Sequence, residues 1–455
     1  MKNDTIVALA TPLGVSAIAV VRLSGPEALQ ITNRIFTKDI SNVPSHSVHF
    51  GKIKSNDTYI DECIVSIFKN PSSYTKENIT EISCHGSPYI IERIIQLCID
   101  NGARLAKKGE FTLRAFLNGQ LDLSQAEAVA DLISSDNEAA HQLAMRQLRG
   151  GYSNRLQQLR NELIDLASLL ELELDFGEED VEFASRVQLN KTIQESLSVV
   201  IQLALSFEKG NVIKNGIKAA IIGAPNAGKS TLLNALLNTD RAIVSDIPGT
   251  TRDTIEDQLI LDGHKFLLTD TAGIRESSDT IEEVGIKRSK DEIKKSRLVV
   301  LVLDVSTTAA KDAAHQIDAL NIDRARLILV LNKMDLWPTA KISEYEDSAD
   351  LPSSQVVPLS AKNKMNLGRL TEVMVLLSLG DKVDNTIVTN SRHYSALLDT
   401  QKSLEKALHG LEAKVSTDLI AMDIRHSLHS IGEITGEVYT DDLLENIFSN
   451  FCIGK

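Results

Sequence analysis

The chain has 455 residues, 43% of them hydrophobic, with 48 Lys and Arg against 62 Asp and Glu, a formal charge of −14 and a pI near 5.3. That length exceeds the roughly 250 residues one core sustains and points to about three domains, while the acidic balance confines any nucleic-acid contact to a local basic patch or to a partner. Four cysteines (Cys63, Cys84, Cys98, Cys452) without Cys-x-x-Cys spacing are too sparse for a disulfide framework, and no apolar stretch of about 18 residues occurs, so a reducing cytoplasm is expected and no membrane span.

In chain order, residues 1–118 alternate short apolar runs, Ala17–Val21 and Cys63–Phe68, with helical patterns near Glu27–Ile35 and Tyr89–Asp100, as an α+β domain does. Arg22, Glu81, His85 and Arg114 are the polar groups beside those strands, and they make no metal or nucleophile constellation in the sequence. From Leu123 the period turns helical. Leu156, Leu159, Leu163, Leu166 and Leu170 recur at spacings of three and four, as do Leu189, Ile193, Leu197, Val200, Ala204 and Phe207, which reads first as helix-packing seams and only secondarily as an oligomeric coiled coil. Between them residues 171–182 carry seven carboxylates in twelve positions, without the order of a calcium loop; a solvated helix end is the expected reading.

Next comes a phosphate cradle. Gly223-Ala-Pro-Asn-Ala-Gly-Lys-Ser230 follows the apolar run Ile217–Ile222 and precedes a helical pattern from Thr231 to Leu237. Gly223 and Gly228 let backbone N–H groups wrap phosphate oxygens, with Asn226 and Ala227 between them; Lys229 reaches the β and γ groups and Ser230 holds Mg²⁺. Ser245-Asp246-Ile247-Pro248-Gly249-Thr250-Thr251-Arg252 supplies the switch threonine that meets Mg²⁺, Thr250 or Thr251. Asp270-Thr271-Ala272-Gly273 ends a strand over Phe266–Thr269 and places Asp270 toward the Mg²⁺ shell and Gly273 toward the γ-phosphate. Asn332-Lys333-Met-Asp335 follows the strand Leu327–Leu331, and the Asp335 carboxylate accepts from the N1 and N2 edge of guanine, a donor pair adenine lacks. Ser360-Ala361-Lys362, after Val356–Leu359, offers a backbone N–H to guanine O6. Together these segments specify a GTPase. Where Ras-like enzymes carry a water-orienting Gln, this chain has Ile274, so Glu276 is the nearest group able to polarise the attacking water. Asn226 offers a carbonyl oxygen beside the phosphates, and a monovalent cation held by it and by switch carbonyls between Ser245 and Thr250, those of Ser245, Ile247 and Thr250, would neutralise developing charge.

Residues Tyr394–Leu411 and Asp418–Ile434 return to helical periodicity, so the GTPase span 215–379 lies between helical segments 119–214 and 380–455, an arrangement suggesting insertion into one bundle. Phe451-Cys-Ile-Gly-Lys455 closes the sequence; on its own a thiol there reads as a dispensable tail group.

Gly223–Asn234, Ser245–Asp253 and Asp270–Glu276 resemble the Era-like branch of GTPases. With Val21–Gly25, Gly109–Asn118 and Phe451–Lys455, the whole chain is similar to the MnmE (TrmE) family of tRNA-modification GTPases. The resemblance implies a multidomain α+β and α/β architecture: an N-terminal folate-binding and dimerisation domain, a discontinuous helical bundle and an inserted Ras-like P-loop GTPase domain. It implies a homodimer, K⁺-stimulated and activated by dimerisation, that works with an FAD-dependent partner of the MnmG (GidA) type in a heterotetramer. The product implied is an aminomethyl or carboxymethylaminomethyl uridine at the tRNA wobble position, made with a one-carbon unit from 5-formyl- or methylene-tetrahydrofolate. In that setting Arg22 pairs with a folate carboxylate, Glu81 accepts from the pterin amino edge, and Cys452 and Lys455 lie near the one-carbon group; at Gln120 the family commonly carries a basic residue, so this chain lacks a cation there. A ribosome-assembly GTPase of Era or Der type and a folate-dependent transferase regulated by GTP are the competing readings.

Overall fold

The computed structural model describes residues 4–56, 58–175, 186–238, 256–270, 292–337, 341–379 and 387–454. The chain forms two compact units, one from residues 1–133, 147–198 and 396–455, the other from 134–146 and 199–395.

In the first unit, strands β1 (Ile6–Leu9), β2 (Ser16–Ser24), β3 (Ser47–Ser55), β4 (Thr58–Phe68), β5 (Ile79–Gly86) and β6 (Arg104–Leu105) form one sheet in the order β3-β4-β5-β2-β1-β6. Period-two alternation puts Val21, Leu23, Cys63, Val65, Ile67 and Ile82 on one face. There they meet helices α1 (Ala28–Ile35) and α2 (Pro88–Asp100), whose apolar residues Ile31 and Ile35, Ile91 and Ile94 recur at helical spacing. α2 begins with Pro88, whose fixed φ and missing N–H cost nothing in a first turn. The opposite face divides. Toward β1 it is covered by Phe111 of α3 (Glu110–Leu117) and by Tyr74. Toward β3 it leaves Val48, Phe50, Ile64 and Ile18 exposed, with Phe50 directly opposite Ile64 in the β3–β4 register.

Helices α4 (Leu123–Ser134), α5 (Glu138–Leu148), α6 (Ser153–Asp175) and α7 (Arg186–Asn215) follow. The leucine stripe from Leu156 to Leu170 is buried, as are Ile420, Ala421, Ile424, Ile431 and Ile434 of the helix Thr417–Thr435 that packs on α6. The seam is therefore internal to the chain, and residues 171–174 of the acidic run form the exposed or half-exposed end of α6. Residues 176–182 of that run lie outside the described residues.

The second unit is built on strands β7 (Ile217–Ile222), β8 (Glu256–Leu261), β9 (His264–Asp270), β10 (Leu298–Asp304), β11 (Leu327–Asn332) and β12 (Val356–Pro358), in the order β12-β11-β10-β7-β9-β8. All neighbours are parallel except the β8–β9 hairpin. β11 is buried at every position, as a central parallel strand covered on both faces requires. Its Ile328 and Val330 enter one core, and Leu327, Leu329 and Leu331 enter the other. Helices α8 (Lys229–Leu237), α9 (Ala310–Leu320), α10 (Ile342–Ala349) and α11 (Leu367–Leu379) flank the sheet; α12 (Ser391–Glu412), α13 (Thr417–Thr435) and α14 (Asp441–Ser449) follow in the chain and, from residue 396 on, belong to the first unit. The unit is wider than the span 215–379 because Leu143 of α5 and Ile213 of α7 join its core and Val388 donates its N–H to Ser206 Oγ at 3.0 Å.

Candidate nucleotide and tail sites

β7 runs into the phosphate loop, and Gly223 is required there by close approach: a Cβ would lie 2.2 Å from the Val302 carbonyl oxygen. Asn226 takes a left-handed φ of 64° with its side chain exposed, and Gly228 follows at 96° just before α8. Left-handed residues in such a loop turn backbone N–H groups toward a common anion, and the helix start adds its dipole. Ala227 is buried beneath the loop. Lys229, only 7% exposed, donates from Nζ to the carbonyls of Gly223 and Ala224, both at 2.9 Å, and so spans the cradle. Ser230 and Thr231 stand exposed in the first turn of α8.

The loops that follow β11 and β12 are fastened to this cradle by one buried amide. Asn332, 2% exposed, donates from Nδ2 to the Ala227 carbonyl at 2.8 Å and accepts at Oδ1 from the Ala361 N–H at 3.0 Å. Ser360 and Met365 exchange backbone bonds at 3.3 and 3.0 Å, closing the loop that holds Ala361, and Lys362 is exposed on it. Lys333 sits at φ 64° with its ammonium 2.6 Å from Asp304 at the end of β10. Burial pushes the Asp304 carboxyl up, but Lys333 and the two Ser306 donors outweigh it and hold the group below its ordinary range. Asp335 is exposed, two residues from that anchor. Asp335→Asn is expected to move preference from GTP to XTP, because an amide suits a base with a carbonyl at position 2; losing the paired bonds costs about 1–3 kcal/mol. Competition of GDP and XDP for one fluorescent nucleotide reads this directly, and unchanged GDP affinity with no gain for XDP refutes the assignment.

Ser245, Asp246, Ile247, Pro248, Gly249, Thr250, Thr251, Thr271, Ala272, Gly273, Glu276 and Lys455 lie outside the described residues. β9 reaches Asp270, whose backbone pairs with Ile221 directly before the phosphate loop.

A second group of residues comes together in the first unit. Arg22 and Glu81 are register partners on β2 and β5, with Nε and Nη2 of Arg22 each 2.8 Å from Glu81 Oε1. The guanidinium lies over the rings of Phe111 and Tyr74, 5.7 and 5.9 Å from their centroids. Its Nη1 donates to the carbonyl of Gly454 at 3.4 Å. The C-terminal segment is fixed there: Phe451 is buried with Phe448, Phe116 and Leu123, Ile453 bridges Lys108, and Gly454 passes so close to β1 that a Cβ would lie 2.1 Å from the Leu9 carbonyl. Cys452 is held between them, its carbonyl accepting from the Gly109 N–H at 3.4 Å. Its thiol is exposed, whereas Cys63, Cys84 and Cys98 are buried and burial pushes their thiols up to about 12, 11 and 12.

The other sequence candidates separate. Arg114 is a buried structural ion, bonded to Asp4, Glu77 and Glu110. His85 pairs with Asp61 at 2.7 Å at the far end of β5. Gln120 is exposed and closes α3 through its backbone; the neighbouring Gly119 carbonyl accepts from Lys76 Nζ at 2.7 Å, which brings a cation from another loop to that turn. Tyr74 and Phe111 were not legible as site residues, since an aromatic in a loop and one on an apolar helix face carry no signal of their own.

Comparison with known proteins agrees with this geometry. A family model described as the MnmE helical domain matches residues 123–452, and one described as the GTP-binding protein TrmE N-terminus matches residues 5–120. Over its whole length the chain is 50% identical to the tRNA modification GTPase MnmE of Cytophaga hutchinsonii, covering 98% of that protein, and 50% identical to that of Flavobacterium johnsoniae, covering all of it. It is 46% identical to the same protein of Bacteroides fragilis, again over the full length of both. A phosphate loop tied through Asn332 to the loop of Ala361, in a chain matched end to end by these relatives, places it: the chain belongs to the MnmE (TrmE) family of tRNA modification GTPases and is a GTP-hydrolysing enzyme.

Proposed function

We propose that this enzyme couples GTP hydrolysis to formation of an aminomethyl-type group on the tRNA wobble uridine, using a folate one-carbon unit and an FAD-dependent partner of the MnmG type. The observation that carries the reading is the convergence of Arg22, Glu81, Tyr74, Phe111 and the Cys452 segment in one place. The residues fit a folate: a guanidinium over two aromatic rings suits a carboxylate-bearing ligand, and Glu81 accepts from an amino edge. A bound folate would supply the one-carbon unit; Arg22 and Glu81 bind and orient, and the tail brings the Cys452 thiol to the site. The acidic chain delegates much of its tRNA contact to the partner. A second copy of the chain covers the sheet face that exposes Ile18, Val48, Phe50 and Ile64.

In the GTPase unit the exposed Ser230 hydroxyl would hold Mg²⁺ with Thr251, and the exposed Asn226 amide would hold K⁺ with the carbonyls of Ser245, Ile247 and Thr250. Lys229 holds the β and γ phosphates, and Glu276 polarises the attacking water. Hydrolysis is expected to run faster in KCl than in NaCl at equal ionic strength, with Asn226→Ala erasing the difference and Glu276→Ala slowing the reaction while GTP still binds. Equal rates in the two salts exclude the cation role.

Hydrolysis and modification are assigned to different units, so Cys452→Ser should leave the hydrolysis rate near wild type and abolish wobble-uridine modification in a deletion strain, read by mass spectrometry of tRNA nucleosides. Normal modified-nucleoside levels in that strain refute the thiol's role.

A further inference from the structure

The β8–β9 hairpin of the GTPase sheet turns through Asp262 and Gly263, both at positive φ, 47° and 78°, the geometry of a tight two-residue turn. Its tip is clamped by the start of α5, a helix that lies more than 100 residues earlier in the sequence. The Ala139 N–H donates to the Gly263 carbonyl at 3.0 Å. The Asp136 carboxylate meets the Lys265 ammonium at 2.6 Å, with the two side chains 19% and 17% exposed. Asn137, itself 8% exposed, holds Asp136 by a 2.9 Å bond and caps the helix through Ala140. Leu143 then shares a core with Leu259, Leu261 and Phe266 of the hairpin. Beside the clamp lies a cleft of about 190 Å³ lined by Glu138, Gln142, Arg146, Asp262 and His264. His264 Nδ1 is buried there with no hydrogen-bond partner among the described residues. A buried orphan of this kind costs the closed joint its desolvation, and any opening that admits water returns it.

The other end of the hairpin is at the phosphate loop. β9 runs from His264 to Asp270, roughly 20 Å at strand rise, and pairs residue for residue with β7 from Ile217 to Ile221, just ahead of Gly223. β8 begins at Glu256, a few residues beyond Thr251. The clamped hairpin is thus the stretch of chain between the two switch sequences, and a rigid strand joins the clamp to the phosphate loop.

We propose that Asp136, Lys265 and Gly263 are positioning residues: the α5 clamp sets the register of β9 against β7 and thereby biases the enzyme between its GDP and GTP states. Linkage makes this measurable, because a clamp whose closure depends on nucleotide must alter the relative affinity of the two nucleotides by the same factor. In the full-length protein, Kd values for fluorescent GDP and for a non-hydrolysable GTP analogue are measured for wild type, Asp136→Asn, Lys265→Gln and the exchanged pair Asp136→Lys with Lys265→Asp. Hydrogen exchange of residues 260–266 reports whether the clamp has opened. The expected result is faster exchange in both single variants, a change of at least about five-fold in the ratio of the two Kd values, and return toward the wild-type ratio in the exchanged pair. General loss of structure weakens both nucleotides together and leaves the ratio unmoved. A ratio within two-fold of wild type in single variants whose hairpin tip exchanges faster overturns the proposal, as does unchanged exchange in those variants.

Discussion

Asn332→Ala should weaken GDP and GTP binding by roughly 30-fold or more. The amide is almost wholly buried and its two bonds run to different loops, to the Ala227 carbonyl in the phosphate loop and to the Ala361 N–H in the loop after β12. Truncation strands both backbone groups, each at about 1–3 kcal/mol, and about 1.4 kcal/mol is a factor of ten. It also unfastens the Ala361 loop from the phosphate loop. Asn332→Asp should not rescue, since a carboxylate keeps the acceptor for Ala361 but sets an oxygen against the Ala227 carbonyl. Titration calorimetry with GDP decides it: affinities within three-fold of wild type for Asn332→Ala would mean that the two loops hold their places without the amide.

Arg114→Met should destabilise the first unit by about 3–5 kcal/mol, the cost of leaving buried charge without its partner. The guanidinium is 7% exposed and bonds the Asp4 carboxylate at 2.7 Å, Glu77 and Glu110 at 3.2 Å, and the Asp4 carbonyl at 2.8 Å. Arg104 still serves Asp4 and Glu110 in the variant, at 2.8 and 2.6 Å, but Glu77 would keep only Ser24. A melting shift near 10 °C follows for a unit of this size. The Arg104 bond, followed by that of Arg114, holds the Asp4 carboxyl below its ordinary value of 3.8; at Glu110 burial pushes upward, and Arg104, the Lys107 N–H and Arg114 outweigh it to bring the group below 4.5. Carboxyls depressed in the fold stabilise it fully above those ordinary values, and that stability is lost as the pH falls below them into the folded pKa values. Denaturant midpoints between pH 7 and pH 3 should therefore fall for wild type and fall less steeply for Arg114→Met. Equal midpoints for the two proteins at pH 7 would show the network to be replaceable.

The GTPase elements were legible because their information is local. A strand, a Gly-rich loop and a helix start occupy consecutive residues, and β11 announces itself as an unbroken apolar run ending in Asn332. The leucine stripe of α6 and the helix Thr417–Thr435 were legible for the same reason, although the pairing of the one with the other was not. What stayed hidden depends on residues far apart in the chain. Arg114 looked like a site residue beside a strand, and only the fold reveals that Asp4, 110 residues away, neutralises it. Nothing in the run from Asp136 to Leu143 signals membership of the GTPase core, since its apolar face is equally suited to any bundle. The Arg22–Glu81 pair, 59 residues apart, required the β2–β5 register, which alternation alone does not supply.

The stapled ends of the second unit carry a consequence for how the first one folds. Ser206 and Val388 are hydrogen-bonded although 182 residues apart, and Phe207 stacks on Tyr394 with ring centroids 4.4 Å apart. Helices Ser153–Asp175 and Thr417–Thr435 belong to one bundle but flank that whole excursion. Joining them across a disordered loop of such length would cost about 4–5 kcal/mol in closure entropy. Once the GTPase unit has folded, its own contacts have already met that cost, and the bundle is left with a short closed link. Helix pairing should then be fast after the nucleotide-binding unit forms and slow before it, so a lesion in the Ser206–Val388 staple would surface as delayed assembly of the bundle that flanks it in sequence.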